Sequence, residues 1–209
     1  MNHLVLLGDS IFDNRAYVAG GPAVIDQVQQ RVPQDWQVTL LAVDGNTSAH
    51  ITHQLQRLPE DATHLVLSVG GNDALGCLPR LGTPVANVMG ALVTLSEFLA
   101  TFRRNYTALL VELLALNKPL MVCTVYDAVP GLTDPIKAAL GMFNDVIVRE
   151  AIRSGVPVLD LRMICTEPGD YSEKSPIEPS SQGGDKLAER IVAAVLEHDL
   201  TTQKCCVYS

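Results

Sequence analysis

Short aliphatic runs alternate with helix-like segments along nearly the whole chain, and this alternation constrains the fold more than any other feature. The strand-like runs cover residues 3–7, 37–43, 64–69, 119–125 and 156–161, and the helix-like segments lie near 21–31, 48–57, 85–116, 135–153 and 183–198. Because the strand-like runs are apolar without alternation, we expect helices to cover both faces of the sheet. Five βα repeats with right-handed crossovers predict a three-layer α/β/α fold. Its parallel sheet would have five strands in the flavodoxin-like order 2-1-3-4-5.

Length and composition limit the possible functions. The 209 residues suit one domain, which we place at residues 1–199, followed by a polar tail at 200–209 that we expect to be flexible. A net charge of −8 without a Lys/Arg run argues against a nucleic-acid surface. We expect neither a secretory signal nor a transmembrane segment. The five cysteines are odd in number and lack metal-ligand spacing, which favours a reduced, cytoplasmic compartment.

Polar, glycine-bearing turns follow the first three strand-like runs. These turns contain Gly8-Asp9-Ser10, Asp44-Gly45-Asn46 and Gly70-Gly71-Asn72-Asp73. In the predicted order the first strand lies between the second and third, so the turns should meet in one crevice at the carboxyl edge of the sheet. There the Ser10 hydroxyl is either a nucleophile or a helix cap. The backbone N–H groups of Ser10 and Gly45 and the side-chain amide of Asn72 are suited to stabilise an oxyanion.

The segment that follows the third turn is rich in Leu, Gly and Pro. It covers residues 74–88. We expect it either to line the rim of the crevice and influence specificity, or to be a surface loop that only covers the end of the third strand.

These turns resemble sequence blocks I, II and III of the SGNH (GDSL-like) hydrolases, and the resemblance extends over residues 3–198. It implies an α/β/α esterase or acyl hydrolase that needs no cofactor. It also implies that Ser10 is the nucleophile and that Ser10, Gly45 and Asn72 are the oxyanion donors.

The chain departs from the family in block V, where Asp-x-x-His-Pro is expected before the last helix. The equivalent stretch reads Ser175-Pro176-Ile177-Glu178-Pro179. Ser175 therefore stands in place of the aspartate and Glu178 in place of the histidine. Of the five histidines, His50 and His53 follow Gly45 on a predicted helix, and we interpret both as lying on its solvated face.

Glu178 has three possible roles. It is a weak general base in water, with a pKa of ~4.3 against ~6.5 for histidine, but burial can raise that pKa to ~6–7. With Asp9, Asp13 and Asp73 it would offer oxygen ligands to a hard cation. Alternatively, it belongs to a protein that binds ligands without hydrolysing them.

We therefore predict a serine-dependent hydrolase of a small acyl or acetyl ester, with Ser10, Gly45, Asn72 and Glu178 as its site and with neither cofactor nor metal. The alternative is a ligand-binding protein of the same fold that lacks the His and Asp of the triad. The expected partner is a small-molecule ester. The ending Cys206-Val207-Tyr208-Ser209 matches a prenylation signal. We interpret that match as chance, because no basic run precedes it.

Overall fold

The computed structural model describes residues 2–198, 200 and 204–208. Six strands form one sheet: β1 (Asn2–Gly8), β2 (Trp36–Leu40), β3 (His64–Ser68), β4 (Leu120–Cys123), β5 (Val158–Leu159) and β6 (Val207–Tyr208). The α-helices are α1 (Val24–Arg31), α2 (Ile51–Leu55), α3 (Gly71–Leu75), α4 (Leu78–Leu81), α5 (Val88–Ala115), α6 (Asp134–Ser154) and α7 (Ser181–Glu197).

All strand pairs are parallel, and the strand order is β2-β1-β3-β4-β5-β6. The predicted three-layer α/β/α class and the order of the first five strands are confirmed. The predicted number of strands is wrong by one, because β6 pairs with β5. The N–H groups of Val158 and Asp160 donate to the carbonyls of Cys206 and Tyr208, each at 2.8 Å. A two-residue strand is too short to give a hydrophobic pattern, which is why the sequence did not indicate it.

The two faces of the sheet carry separate hydrophobic clusters. Leu4 and Leu6 of β1 belong to a cluster with α1 and α7. Val5 and Leu7, which point the other way, belong to a second cluster with α5 and α6. Side chains on a strand alternate between faces, so a strand that is apolar at every position needs a helical layer on each side. This packing makes β1 a central, fully covered strand.

Several segments refine the predictions made from sequence. The segment 85–116 contains a single helix, α5. The segment 74–88 contains the end of α3, all of α4 and the first residue of α5. The domain bounds stay a prediction, and Ser209 of the prenylation-like ending lies outside the described residues. Among the helices of the described chain, none has the length and apolarity needed to cross a bilayer.

Candidate active site

Ser10 lies in the turn that immediately follows the central strand. Gly8 adopts φ +136°, and a Cβ there would lie 1.9 Å from the Ser68 carbonyl oxygen, so only glycine allows β1 and β3 to approach this closely. The Asp9 N–H donates to the same oxygen at 3.1 Å. Ser10 itself is 5% exposed. Its backbone N–H has no hydrogen-bond partner among the residues that the structure describes, so it is available to a ligand.

Asn72 follows β3, the strand next to β1. One N–H of its side-chain amide donates to the Asn46 carbonyl at 3.0 Å, which fixes the orientation of the amide. A primary amide carries two N–H bonds, so the second is available to a ligand. Asn72 lines the same cavity as Ser10.

Gly45 lies in the turn beyond β2 and is exposed, with φ +80°. Its loop is held by a bond from the Asp44 N–H to the Asp13 carboxylate at 3.0 Å, and by one from the Tyr17 hydroxyl to Asp44 at 2.6 Å. Gly45 is not among the residues that line the cavity with Ser10. Its role as an oxyanion donor therefore stays a prediction.

Glu178 lies in a turn that is held on both sides. Its N–H donates to the Ser175 carbonyl at 3.0 Å, and its own carbonyl accepts from the Ser172 N–H at 2.8 Å. The Tyr126 hydroxyl donates to the carbonyl of the preceding residue, Ile177, at 2.7 Å. Glu178 is 5% exposed and lines the cavity beside Ser10. The turn thus fixes a carboxyl group in the crevice.

The surroundings of Glu178 give it a proton affinity suited to acid–base chemistry. Burial raises its pKa from 4.5 to about 7. The negative charge of Asp44 also raises this pKa, whereas the contact with the Ser10 hydroxyl lowers it. Its Oε2 atom is buried and has no hydrogen-bond partner in the described part of the chain. A carboxyl with these properties exchanges its proton near neutral pH.

Asp9 is a second buried carboxyl in the same cavity. Burial raises its pKa to about 8, and the negative charges of Glu178 and Asp73 also raise it. The hydrogen bond that Asp9 accepts from the Ile11 N–H at 3.1 Å lowers this pKa. Asp9 is therefore mostly neutral at pH 7. From its sequence, Asp9 is either a metal ligand or a turn residue that bonds the backbone, and the bond from the Ile11 N–H agrees with the second role. Its position directly after a buried strand was a signal that the side chain would be desolvated.

The carboxylates considered from the sequence as metal ligands do not form a metal site in the described part of the chain. No group of three or more His, Cys, Asp or Glu side chains in the described chain is arranged to hold a metal. Asp73 instead accepts bonds from the Ser48 N–H and hydroxyl at 2.9 and 2.6 Å. His50 and His53 line a separate pocket beside Arg57. None of the five histidines lines the Ser10 cavity, so the carboxyls of Glu178 and Asp9 are its groups with a pKa near neutral pH.

The cavity has a volume of about 190 Å³, and its lining is largely apolar apart from Asp9, Ser10, Asn72 and Glu178. Its other walls come from α3, α4, α5, the 125–132 loop, α6 and Ile177. Residues 74–81 contribute to these walls, so the expectation that segment 74–88 lines the crevice is confirmed for this part. The wall formed by α6 was missed, although Ile136, Leu140 and Phe143 follow the three-to-four-residue spacing of one helix face.

Several solved structures with a similar architecture are esterases or lipases. An acetyl xylan esterase aligns with a TM-score of 0.69 and 17% identity, covering 92% of this chain and 99% of that one. A lipase from a goat rumen metagenome aligns with a TM-score of 0.72 and 16% identity, covering 93% and 97%. A lipase/acylhydrolase from Enterococcus faecalis aligns with a TM-score of 0.65 and 22% identity, covering 93% and 95%. At these identities the likeness establishes the fold.

No curated protein sequence matches the chain. The model of the GDSL-like Lipase/Acylhydrolase family matches residues 6–185, which include the Ser10, Gly45, Asn72 and Glu178 positions. The resemblance to the SGNH hydrolases seen in the sequence is thereby confirmed, and the chain belongs to the GDSL-like lipase/acylhydrolase family.

Proposed function

We propose that this protein is a serine-dependent ester hydrolase in which Ser10 is the nucleophile and Glu178 is the general base. One observation carries the proposal: the carboxyl of Glu178 is buried in the same cavity as the serine that follows the central strand, and this burial raises its pKa to about 7. A base works best when its pKa is near the working pH, because it is then both available and strong enough. Acetyl and other small acyl esters are suitable first substrates, since the reaction requires only an ester carbonyl next to Ser10.

In the acylation step, the Ser10 oxygen attacks the ester carbonyl while its proton passes to Glu178, directly or through one water. The carbonyl electron pair moves to oxygen, and a tetrahedral oxyanion forms. When that intermediate collapses, the bond to the alcohol breaks and the alcohol oxygen takes the proton from Glu178. Ser10 is left acylated, and Glu178 is again a carboxylate.

Deacylation repeats the sequence with water. Glu178 takes a proton from water as the oxygen attacks the acyl carbonyl, and it returns that proton to the Ser10 oxygen as the acid leaves. The same carboxyl therefore serves both halves of the reaction, and the protons balance.

Three N–H groups would stabilise the oxyanion: those of Ser10 and Gly45 and the free amide N–H of Asn72. Removing one such donor typically lowers the rate by ~10²–10³. The neutral state of Asp9 supports this proposal, because an ionised carboxylate beside the oxyanion would oppose the developing charge.

Because Glu178 stands where the family has a histidine, we expect slow turnover. A protonated histidine carries a positive charge that stabilises the oxyanion, whereas a protonated carboxyl is neutral. The enzyme would then depend on its N–H donors to stabilise the charge of the transition state.

A fluorophosphonate probe tests the nucleophile, because it labels only an activated serine. We expect covalent labelling of the wild type and none of Ser10→Ala. Glu178→Gln should lower ester turnover by ~10²–10⁴. The matched control Glu173→Gln, which changes an exposed acid in the same loop, should turn over ester at the wild-type rate. An unlabelled wild type would contradict the proposal and favour the ligand-binding alternative.

A further inference from the structure

The lining of the cavity beside Ser10 contains two chemically different sets of residues. Asp9, Ser10, Asn72 and Glu178 are the polar set. Much of the remaining lining is aliphatic and includes Leu81 of α4, Leu95 of α5 and Leu140 of α6. A ligand that fills this space must therefore present a polar group at one end and an apolar body at the other.

The volume is much larger than an acetyl group requires. One water needs roughly 10–15 Å³ of cavity, so about 190 Å³ holds on the order of a dozen groups of that size. An acetyl group would leave most of the apolar wall in contact with water. A chain on the order of eight carbons, together with its ester group, matches the space.

The wall formed by α3 and α4 reaches the protein surface. Leu75, Leu78 and Leu81 line the cavity and are nonetheless 36%, 37% and 39% exposed. These side chains gain free energy when an apolar ligand covers them, because the hydrophobic effect is proportional to the apolar area removed from water. These exposed side chains therefore form a surface that an apolar ligand would cover.

The charge of the lining further limits the ligand. Its titratable side chains are the two carboxyls of Asp9 and Glu178, the thiol of Cys77 and the phenol of Tyr126, and its residues include no Lys or Arg. An ester that carries a carboxylate or phosphate would meet the charge of Glu178 without a compensating cation. The chemistry of the lining therefore fits a neutral ester.

We propose that this cavity binds the aliphatic chain of a neutral ester, on the order of eight carbons long, with its carbonyl at Ser10. This inference rests on the proposed hydrolase function and specifies its substrate class. Each methylene buried by the wall should raise kcat/KM by roughly fourfold when burial is complete. Because the mouth is open, we expect a total increase of about tenfold or more between acetate and octanoate esters.

Two ester series test the proposal with the wild-type protein, each below the concentration at which the esters aggregate. The first compares p-nitrophenyl acetate, butyrate and octanoate, and the second compares ethyl, butyl and octyl acetate. An increase with length in the first series supports a cavity for the acyl chain. An increase confined to the second supports the same cavity with the chain on the alcohol side. Equal kcat/KM values in both series, with Ser10 labelled by the fluorophosphonate, would overturn the inference and leave the hydrolase proposal intact.

Two neighbouring alanines on α6 provide a test of where the aliphatic chain of the ester binds. Ala139 lines the cavity, whereas Ala138 is exposed and does not. Ala139→Trp should lower the octanoate-to-acetate ratio of kcat/KM at least about tenfold by occupying the space, and Ala138→Trp should keep the wild-type ratio. Equal ratios in the two variants would refute this location. If Ala139→Trp does not fold, the wild-type series still decide the proposal. If no ester is turned over and Ser10 is not labelled, the hydrolase proposal fails and this inference fails with it.

Discussion

Replacing Glu178 by Gln should make the protein more stable at alkaline pH, even though it removes the proposed base. Burial raises the pKa of this carboxyl from 4.5 to about 7. The folded state therefore keeps a proton that the unfolded chain has already lost at intermediate pH. Because the folded state binds more protons there, the free energy of unfolding falls as the pH rises from about 4.5 to about 7.

The size of this effect follows from the pKa difference. At 1.36 kcal/mol per unit of pKa difference, the change from 4.5 to about 7 corresponds to about 3 kcal/mol. The full penalty is present above the folded-state pKa and absent below the unfolded-state pKa. Glutamine has the same shape and no charge, so its burial carries no such pH-dependent penalty. The free energy of unfolding of Glu178→Gln, relative to that of the wild type, should therefore rise by up to about 3 kcal/mol from acid to alkaline pH.

Urea denaturation at about pH 4.5 and about pH 8.5 measures this difference, since the window of the shift lies between these values. Trp36 is the single tryptophan and is 8% exposed, so its fluorescence reports unfolding. The exposed neighbour Glu173→Gln is the control and should follow the wild type at both pH values. If the stabilities of wild type and Glu178→Gln change in parallel with pH, the burial argument for this carboxyl is wrong.

Three further predictions concern catalysis and packing. Ester turnover by the wild type should rise with pH as Glu178 ionises near 7, because only its carboxylate accepts the serine proton; equal rates on the two sides of that pKa would contradict this. Asn144→Ala should lower the free energy of unfolding in urea by about 2–4 kcal/mol, because the buried amide bonds both the N–H and the carbonyl of Val125 at 2.8 Å. Gly8→Ala should cost more than about 3 kcal/mol in the same assay, since its Cβ would overlap the Ser68 carbonyl; wild-type stability in either variant would refute the packing described here.

Local signals in the sequence were sufficient for the framework of the site. Residues 4–7 are continuously apolar, and a strand covered on both faces requires this pattern. The glycine-bearing turns at Ser10 and Asn72 follow such runs directly, so parallel strands necessarily bring them to the same edge of the sheet. The resemblance to a family then singled out Glu178, but it gave no information about the environment of this side chain.

The sequence by itself determined the layered α/β/α architecture, the order of the first five strands and the edge where Ser10 and Asn72 meet, because strand periodicity and turn chemistry are properties of neighbouring residues. The tertiary structure alone decided that Glu178 is buried with a pKa of about 7, that Asp9 is mostly neutral beside it, and that β6 extends the sheet. It also decided that helices from distant parts of the chain enclose an apolar cavity. Desolvation and cavity shape depend on which distant segments pack together, and a linear pattern does not contain that information.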